Sequence, residues 1–104
     1  MKMLVHLQFP IEPFNSYVRD GSVGDKIQKI MASIKPEAAY FTEHHGSRGA
    51  VLVVNVNNAS DIPAIAEPWF LMFEADAEFR IAMTPEDLGR AGLDKLGKSW
   101  GEQA

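Results

Sequence analysis

The segment from Ala38 to Val56 constrains the fold more than any other part of the chain. Two runs rich in aromatic and β-branched residues flank a polar stretch that contains Gly46 and Gly49. Such runs form strands, and glycines between them supply the positive φ angles that a short hairpin loop needs. The segment therefore predicts a β-hairpin, with two adjacent antiparallel strands in the middle of the chain.

Hydrophobic periodicity on either side of the hairpin predicts the remaining elements. In chain order these are a strand at 3–9, a helical turn at 13–19, a helix at 23–34, the hairpin, a helix at 62–73, a strand at 78–83 and a helix that starts at 85. This βαββαβ order is that of the ferredoxin-like fold, an α+β fold in which both helices cover one face of a four-stranded antiparallel sheet. We expect a single domain at 1–104, with its core at about 1–88 and a helical extension at 85–104.

The starts of the helices are predicted from polar residues. Ser22 and Ser60 are the expected N-caps of the two long helices, and Thr84 is expected to cap the helix that Pro85 begins. Pro68 lies inside an otherwise helical pattern, so we expect a break or kink next to it.

Composition excludes several classes of partner. The chain has 104 residues, of which 46% are hydrophobic, enough for one core. Its formal charge of −4 without a basic cluster argues against nucleic acid as a partner. No apolar run approaches the roughly 20 residues that span a membrane. With no cysteine, the chain fits a reducing compartment, and we expect a cytoplasmic protein. A small hydrophobic ligand and a second copy are the expected partners.

The uncovered face of the sheet is where we expect a site. A second copy is expected to cover it, so that two sheets close into a dimeric α/β barrel. Strand alternation turns three candidate catalytic residues toward this face: His6 to move a proton, Arg80 to hold an anion and Tyr40 to orient a ring. The expected ligand-binding residues lie beside them or at the mouth of the cavity: Leu4, Gln8, Thr42, Asn55, Glu78 and Trp69.

Each of these assignments has a structural alternative. Polar residues on the sheet face can satisfy one another, with His6 hydrogen-bonded to a hydroxyl or a carbonyl group. Arg80 can pair with Glu78 or Glu43 instead of a ligand. The sequence His44-His45 invites a metal site, but neighbouring strand residues point to opposite faces, so we expect a solvated hairpin end and no metal. No phosphate-binding loop is present, and no cofactor is expected.

The segment Glu67–Phe73, followed by Ala77–Ile81, resembles the end of the second helix and the last strand of the dimeric α/β-barrel superfamily. The likeness is to its muconolactone isomerase-like branch, and the whole chain is similar to a small bacterial family of this type. That superfamily includes isomerases, cofactor-free monooxygenases, haem-degrading enzymes and stress-response proteins. The resemblance implies binding of a small hydrophobic carbonyl or aromatic compound, with cofactor-independent isomerisation or oxidation. A non-enzymatic dimerisation module is the alternative.

Overall fold

The computed structural model describes residues 1–101, which fold into an antiparallel sheet and five α-helices. The strands are β1 (Lys2–Gln8), β2 (Ala38–His44), β3 (Ser47–Asn55) and β4 (Asp76–Ile81). The helices are α1 (Ile11–Asp20), α2 (Val23–Ile34), α3 (Ile62–Phe73), α4 (Pro85–Arg90) and α5 (Leu93–Gly101). The four strands lie in the order β2-β3-β1-β4, and every neighbouring pair is antiparallel. The predicted α+β architecture is confirmed, and the strand order is compatible with a ferredoxin-like fold.

The hydrophobic core lies between the two central strands and the helices. Alternate residues of β1 and β3 meet the inner faces of α2 and α3, as period-two patterning requires. The most deeply buried side chains are Trp69, Phe9, Phe73, Leu52, Val5 and Val56. The Phe9 ring is the aromatic centre, with its centroid 5.9 Å from that of Trp69 and 5.5 Å from that of Phe73. The Tyr17 hydroxyl donates to the Met72 carbonyl at 2.7 Å, which joins α1 to α3.

The hairpin forms as predicted, but one of its two glycines has a different role. His45 and Gly46 form the loop, with φ angles of 51° and 79°, so both central residues have the positive φ of a type I′ turn. Gly49 lies inside β3 and needs no positive φ. A Cβ there would lie 3.0 Å from the Leu7 carbonyl oxygen and 3.3 Å from the Cβ of His44. Gly49 is therefore required by close backbone approach, whereas His45 supplies the second positive φ.

Ser22 does not cap α2 through its side chain. It occupies the N-cap position but has helical angles and makes no capping hydrogen bond. Its hydroxyl instead accepts a hydrogen bond from the Lys26 ammonium at 3.0 Å. That ammonium also lies 4.4 Å from the centre of the Tyr17 ring, so Lys26 packs along the protein.

The other two capping predictions have opposite outcomes. Ser60 lies within a 3₁₀ turn, Ala59–Asp61, and is not the N-cap of α3. The Asp61 carboxylate instead accepts from the backbone N–H of Asn58 at 3.1 Å. Thr84 does cap α4: its hydroxyl accepts from the Asp87 N–H at 3.1 Å, and the Asp87 carboxylate accepts from the Thr84 N–H at 3.0 Å.

Pro68 does not break α3, which continues to Phe73. Proline removes one backbone donor, and the carbonyl that loses its partner belongs to Ala64, an exposed residue that water can reach. Trp69 and Phe73 follow Pro68 and are completely buried, so packing of the last turn favours a continuous helix. The predicted break at Pro68 is wrong.

The apolar periphery is more exposed than expected. Phe41, on the edge strand β2, is 50% exposed. Ile81 and Met83, at the end of β4, are each 66% exposed, and Phe70 on α3 is 38% exposed. The helices cover the central strands and leave these edge and end positions uncovered.

Helices α4 and α5 project from the body of the protein, and neither has a buried residue. The chain measures 62 × 29 × 20 Å, and its radius of gyration is 18.0 Å. A compact domain of this length has a radius of gyration of about 13 Å. We call residues 84–101 the arm. Its two helices replace the single short helix and extension expected for this segment.

Candidate functional site

The side of the sheet opposite α2 and α3 carries no helix among residues 1–101, and we call it the open face. Its residues are Lys2, Leu4, His6, Gln8, Ala38, Tyr40, Thr42, His44, Ser47, Gly49, Val51, Val53, Asn55, Asp76, Glu78 and Arg80. Strand pairing arranges them in rows across the sheet. One row runs Tyr40, Val51, His6, Glu78, and the next runs Ala38, Val53, Leu4, Arg80.

All the predicted site residues except Trp69 lie on the open face. Trp69 is on the other side of the sheet and has no exposed surface. Its ring lies among those of Phe9 and Phe73, and its indole Nε1 has no hydrogen-bond partner among the described residues. The expected position at the mouth of a cavity is therefore wrong. The spacing of Trp69 and Phe73, four residues apart on one helix, is the signal that places both in the core.

A depression of about 280 Å³ opens at one end of the open face, between β1 and β4. Its polar lining consists of His6, Gln8, His44, Asp76 and Glu78. Strand alternation already turned His44 toward this face, but its place in the same depression as His6 depends on the pairing of β2 with β3 and of β3 with β1. Asp76 was missed because the last strand was predicted to begin at Glu78, two residues too late.

Glu78 is the central charged group of this region. It lies directly opposite His6 in the pairing of β1 with β4, and its carboxylate accepts a hydrogen bond from Arg80 Nε at 2.6 Å. That hydrogen bond and the charge of Arg80 lower the pKa of Glu78, and the charges of His6 and His44 lower it further. Glu78 is thus an anion at neutral pH, between an imidazole and a guanidinium.

The pair between Arg80 and Glu78 is solvent-exposed, with side-chain exposures of 63% and 61%. Exposed ion pairs are weak and exchange readily with other partners, contributing about 0–1 kcal/mol. The pair therefore holds Arg80 next to Glu78, and it is weak enough for another anion to replace Glu78. The pairing of Arg80 with Glu78 is the alternative that the sequence left open.

The opposite end of the open face has its own polar cluster. The Asn55 amide and the Lys2 ammonium both donate to the Glu37 carboxylate. These hydrogen bonds, with that from Lys2 the larger influence, lower the pKa of Glu37. Asn55 is thus engaged with its neighbours at the edge of the face, away from His6.

Between the two polar ends, the centre of the open face is apolar. Leu4, Val51 and Val53 are half-buried and adjacent across β1 and β3. Tyr40 is 68% exposed and is separated from His6 by Val51, which corresponds to about 10 Å across two strand spacings. A ligand that touched both Tyr40 and His6 would therefore have to cross this apolar centre.

The residues described here do not assemble a metal centre. Strand β2 ends at His44, and the turn brings the rings of His44 and His45 to 4.2 Å between centroids. Adjacent histidines thus meet where the strand stops, which strand alternation alone did not predict. No group of three or more potential ligands that could hold a metal ion occurs in the described part of the chain.

No protein-family model matches this chain, and no curated protein matches it. Within residues 1–101, no helix combines the length and the apolar content needed to cross a bilayer. The geometry of the open face is therefore the basis for inferring function. Its components are an apolar centre, a polar depression with an imidazole beside a carboxylate, and a guanidinium one row away.

Proposed function

We propose that this protein forms a homodimer through its open face and binds a small hydrophobic carbonyl or aromatic compound between the two sheets. The observation that carries the proposal is the depression of about 280 Å³ on a sheet face that no described helix covers. Half-buried Val51 pairs with His6 in the row that borders the depression, and half-buried Leu4 and Val53 lie in the next row. Covering apolar surface contributes about 25 cal/mol per Å², so both a ligand and a second sheet gain stability here.

The chemistry of the face selects the ligand class. An aromatic ring or short apolar chain fits over Leu4 and Val51, and a carbonyl group fits beside His6 and Arg80. The volume is near the lower end for ligand sites, about 300–1,000 Å³, which favours a compound of one or two rings. The likeness to the dimeric α/β-barrel superfamily supports the same class of ligand.

The reaction that we propose is a cofactor-independent isomerisation. The imidazole of His6 removes a proton from the carbon next to the carbonyl group, and Arg80 leaves Glu78 to stabilise the enolate oxygen. Where a C=C bond adjoins that carbon, the enolate is conjugated with it. His6 then returns the proton to the far carbon of the double bond, so the double bond moves next to the carbonyl group and the atoms of the substrate are unchanged. Tyr40 contacts the far end of the ligand. Oxidation of the same enolate is the related possibility and requires dioxygen as the oxidant.

Acetophenone tests both binding and proton transfer, because it has a ring, a carbonyl group and exchangeable protons on the adjacent carbon. We expect its addition to shift amide resonances of open-face residues in ¹H–¹⁵N NMR spectra. In D₂O, the protein should accelerate deuterium exchange at the methyl group. His6→Gln should abolish the acceleration, whereas His45→Gln, which removes an imidazole from the hairpin loop, should preserve it.

Two outcomes would contradict the proposal. Shifts confined to the helix side would place the ligand elsewhere. Exchange at the same rate in wild type and His6→Gln would remove the role of His6.

The alternative is a non-enzymatic dimerisation module, and the hydrogen bond between Arg80 and Glu78 favours it, because the candidate anion holder already has an anionic partner. This alternative predicts a stable dimer that neither binds acetophenone nor accelerates exchange.

A further inference from the structure

The arm, residues 84–101, exposes a continuous apolar stripe. Leu93, Leu96 and Trp100 recur at intervals of three and four residues, which places them on one face of α5. Their exposed fractions are 56%, 46% and 71%. Leu88 on α4 and Met83, which follows β4, are also exposed, at 44% and 66%.

Helix α5 needs packing that its own chain does not give it among the described residues. It has nine residues and no buried side chain, whereas isolated helices shorter than about 12–15 residues are marginal in water. It also contains Gly97 in its interior, where glycine costs about 1 kcal/mol relative to alanine. A helix with these features gains stability when another surface covers its apolar stripe.

We propose that the arm packs its apolar stripe, Leu93, Leu96 and Trp100, against a second copy of this chain. This inference rests on the proposed homodimer and identifies a second part of its interface. The arm begins directly after β4, an edge strand whose residues Glu78 and Arg80 lie on the open face. An arm that starts at the edge of one open face is positioned to reach past that edge onto the molecule that covers it.

The area of the open face supports a second copy as the occupant. Four strands at about 4.8 Å spacing and about 7 residues long give a face of roughly 450 Å² in projection. A stable interface buries about 800 Å² of accessible surface on each partner, and the arm adds its apolar stripe to the accessible surface of the open face. In a two-fold dimer both arms contribute, because each surface is used twice.

The charge of the arm argues against a membrane as the occupant. Its residues include three acids, Glu86, Asp87 and Asp94, and three bases, Arg90, Lys95 and Lys98, so its net charge is zero. Helices that bind anionic membranes through one face are rich in lysine and arginine on the other. The balanced charge of the arm fits a protein surface better.

Trp100 reports directly on this contact in the wild-type protein. The chain has two tryptophans, and Trp69 is completely buried, so iodide quenching of fluorescence reports on Trp100. We expect Trp100 to be protected at concentrations where light scattering detects a dimer, and to become open to iodide on dilution to the monomer. If iodide quenched Trp100 equally in the dimer and in the monomer, the inference would be overturned. Protection that appears only when phosphatidylglycerol vesicles are added would also overturn it.

A pair of glutamine substitutions on opposite faces of α5 provides the matched test. Leu96→Gln changes the stripe, and Lys98→Gln changes the opposite face, and neither side chain is buried in its own chain. Loss of one interface leucine in each of two arms should raise the dimer dissociation constant about 100-fold, and Lys98→Gln should change it less than about threefold. Equal effects of the two substitutions would overturn the inference.

The experiments distinguish a wrong assignment of the arm contact from a wrong assignment of the open-face interface. A dimer that keeps Trp100 exposed and is dissociated by Val51→Lys overturns the arm contact and leaves the open-face proposal intact. A dimer that withstands Val51→Lys and is dissociated by Leu96→Gln supports the arm contact and overturns the open-face interface.

Discussion

Gly46 and Gly49 belong to the same hairpin, but alanine is unfavourable at the two positions for different reasons: backbone strain at Gly46 and a steric clash at Gly49. At Gly46 the φ angle is 79°, which costs an L-residue roughly 1–2 kcal/mol. At Gly49 the added methyl group would lie 3.0 Å from the Leu7 carbonyl oxygen, so two paired strands would have to separate. We expect Gly49→Ala to reduce the free energy of unfolding by about 2–3 kcal/mol and Gly46→Ala by about 1–2 kcal/mol.

The control for these substitutions is Gly24→Ala in α2. No atom would contact the added Cβ, so the change should raise the free energy of unfolding by up to about 1 kcal/mol. Urea denaturation measures all three variants. A Gly49→Ala variant as stable as Gly24→Ala would contradict the close approach of β3 to β1.

The hydrogen bond between Arg80 and Glu78 makes part of the stability pH-dependent. Because folding lowers the pKa of Glu78, this stabilisation is present above the pKa of an unfolded glutamate, about 4.3, and is lost as the pH falls through the folded value. Arg80→Gln should therefore be most destabilising near neutral pH, and the difference from wild type should shrink in acid. In NMR titrations the pKa of Glu78 should rise in this variant.

Arg90→Gln is the matched control, because Arg90 also pairs with a carboxylate, that of Asp87. The hydrogen bonds from Thr84 are the largest cause of the lowered pKa of Asp87, ahead of Arg90. We therefore expect the pKa of Asp87 to change less in Arg90→Gln than that of Glu78 in Arg80→Gln. The reverse order would contradict the charge arrangement of the open face.

At the scale of the elements, the two polar residues that start α2 and α4 should behave differently. Thr84 accepts the Asp87 N–H at 3.1 Å, whereas Ser22 makes no capping bond. Loss of an N-cap costs about 1 kcal/mol, so Thr84→Ala should increase amide exchange in α4 roughly fivefold. Because α4 has no buried residue, global unfolding should hardly change.

Ser22→Ala is the comparison, and we expect it to leave amide exchange at the start of α2 nearly unchanged. Hydrogen exchange followed by mass spectrometry measures both helices. If Ser22→Ala increased amide exchange in α2 more than Thr84→Ala increased it in α4, the capping groups would have been assigned wrongly.

The elements themselves could be predicted from the sequence because their signals are local. Alternation in β1 fixes which side of the strand each residue faces, and so it placed Leu4 and His6 on the open face correctly. Ser22 and Ser60 were mispredicted because capping also requires an extended backbone angle at that residue, which residue type does not determine. Pro68 was mispredicted because tertiary packing of the following turn outweighs one lost hydrogen bond.

The candidate site could be predicted only as a set of residues that share a face. Distances within that set depend on which strands pair and with what offset, and nothing local specifies them. Thus the opposition of His6 and Glu78 follows from the β1–β4 register, and the place of His44 in the same depression follows from the registers of β3 with its two neighbours. The outward projection of the arm was equally unpredictable, since a short apolar helix is compatible with packing on its own domain.

For the whole molecule, the open face and the helix side should respond differently to the same substitution. Val51 is in the middle of the open face, between Tyr40 and His6. Val51→Lys brings two like charges into the apolar centre of the proposed dimer, and we expect a monomer. Leu71→Lys is the control, because Leu71 is 80% exposed on α3. Light scattering during size-exclusion chromatography distinguishes the two, and a dimer that survives Val51→Lys would contradict the open-face interface.

The central position of β1 has a consequence for synthesis on the ribosome. β1 is made first, but its two neighbours in the sheet, β3 and β4, follow much later in the chain. The β2–β3 hairpin can pair early through its short turn. Strand β1, in contrast, lacks one of its two neighbouring strands until Ile81, the last residue of β4, has left the exit tunnel. During that interval the nascent chain presents an apolar, β-prone segment, the kind that chaperones shield from aggregation. Slower elongation before β4 would lengthen that exposure.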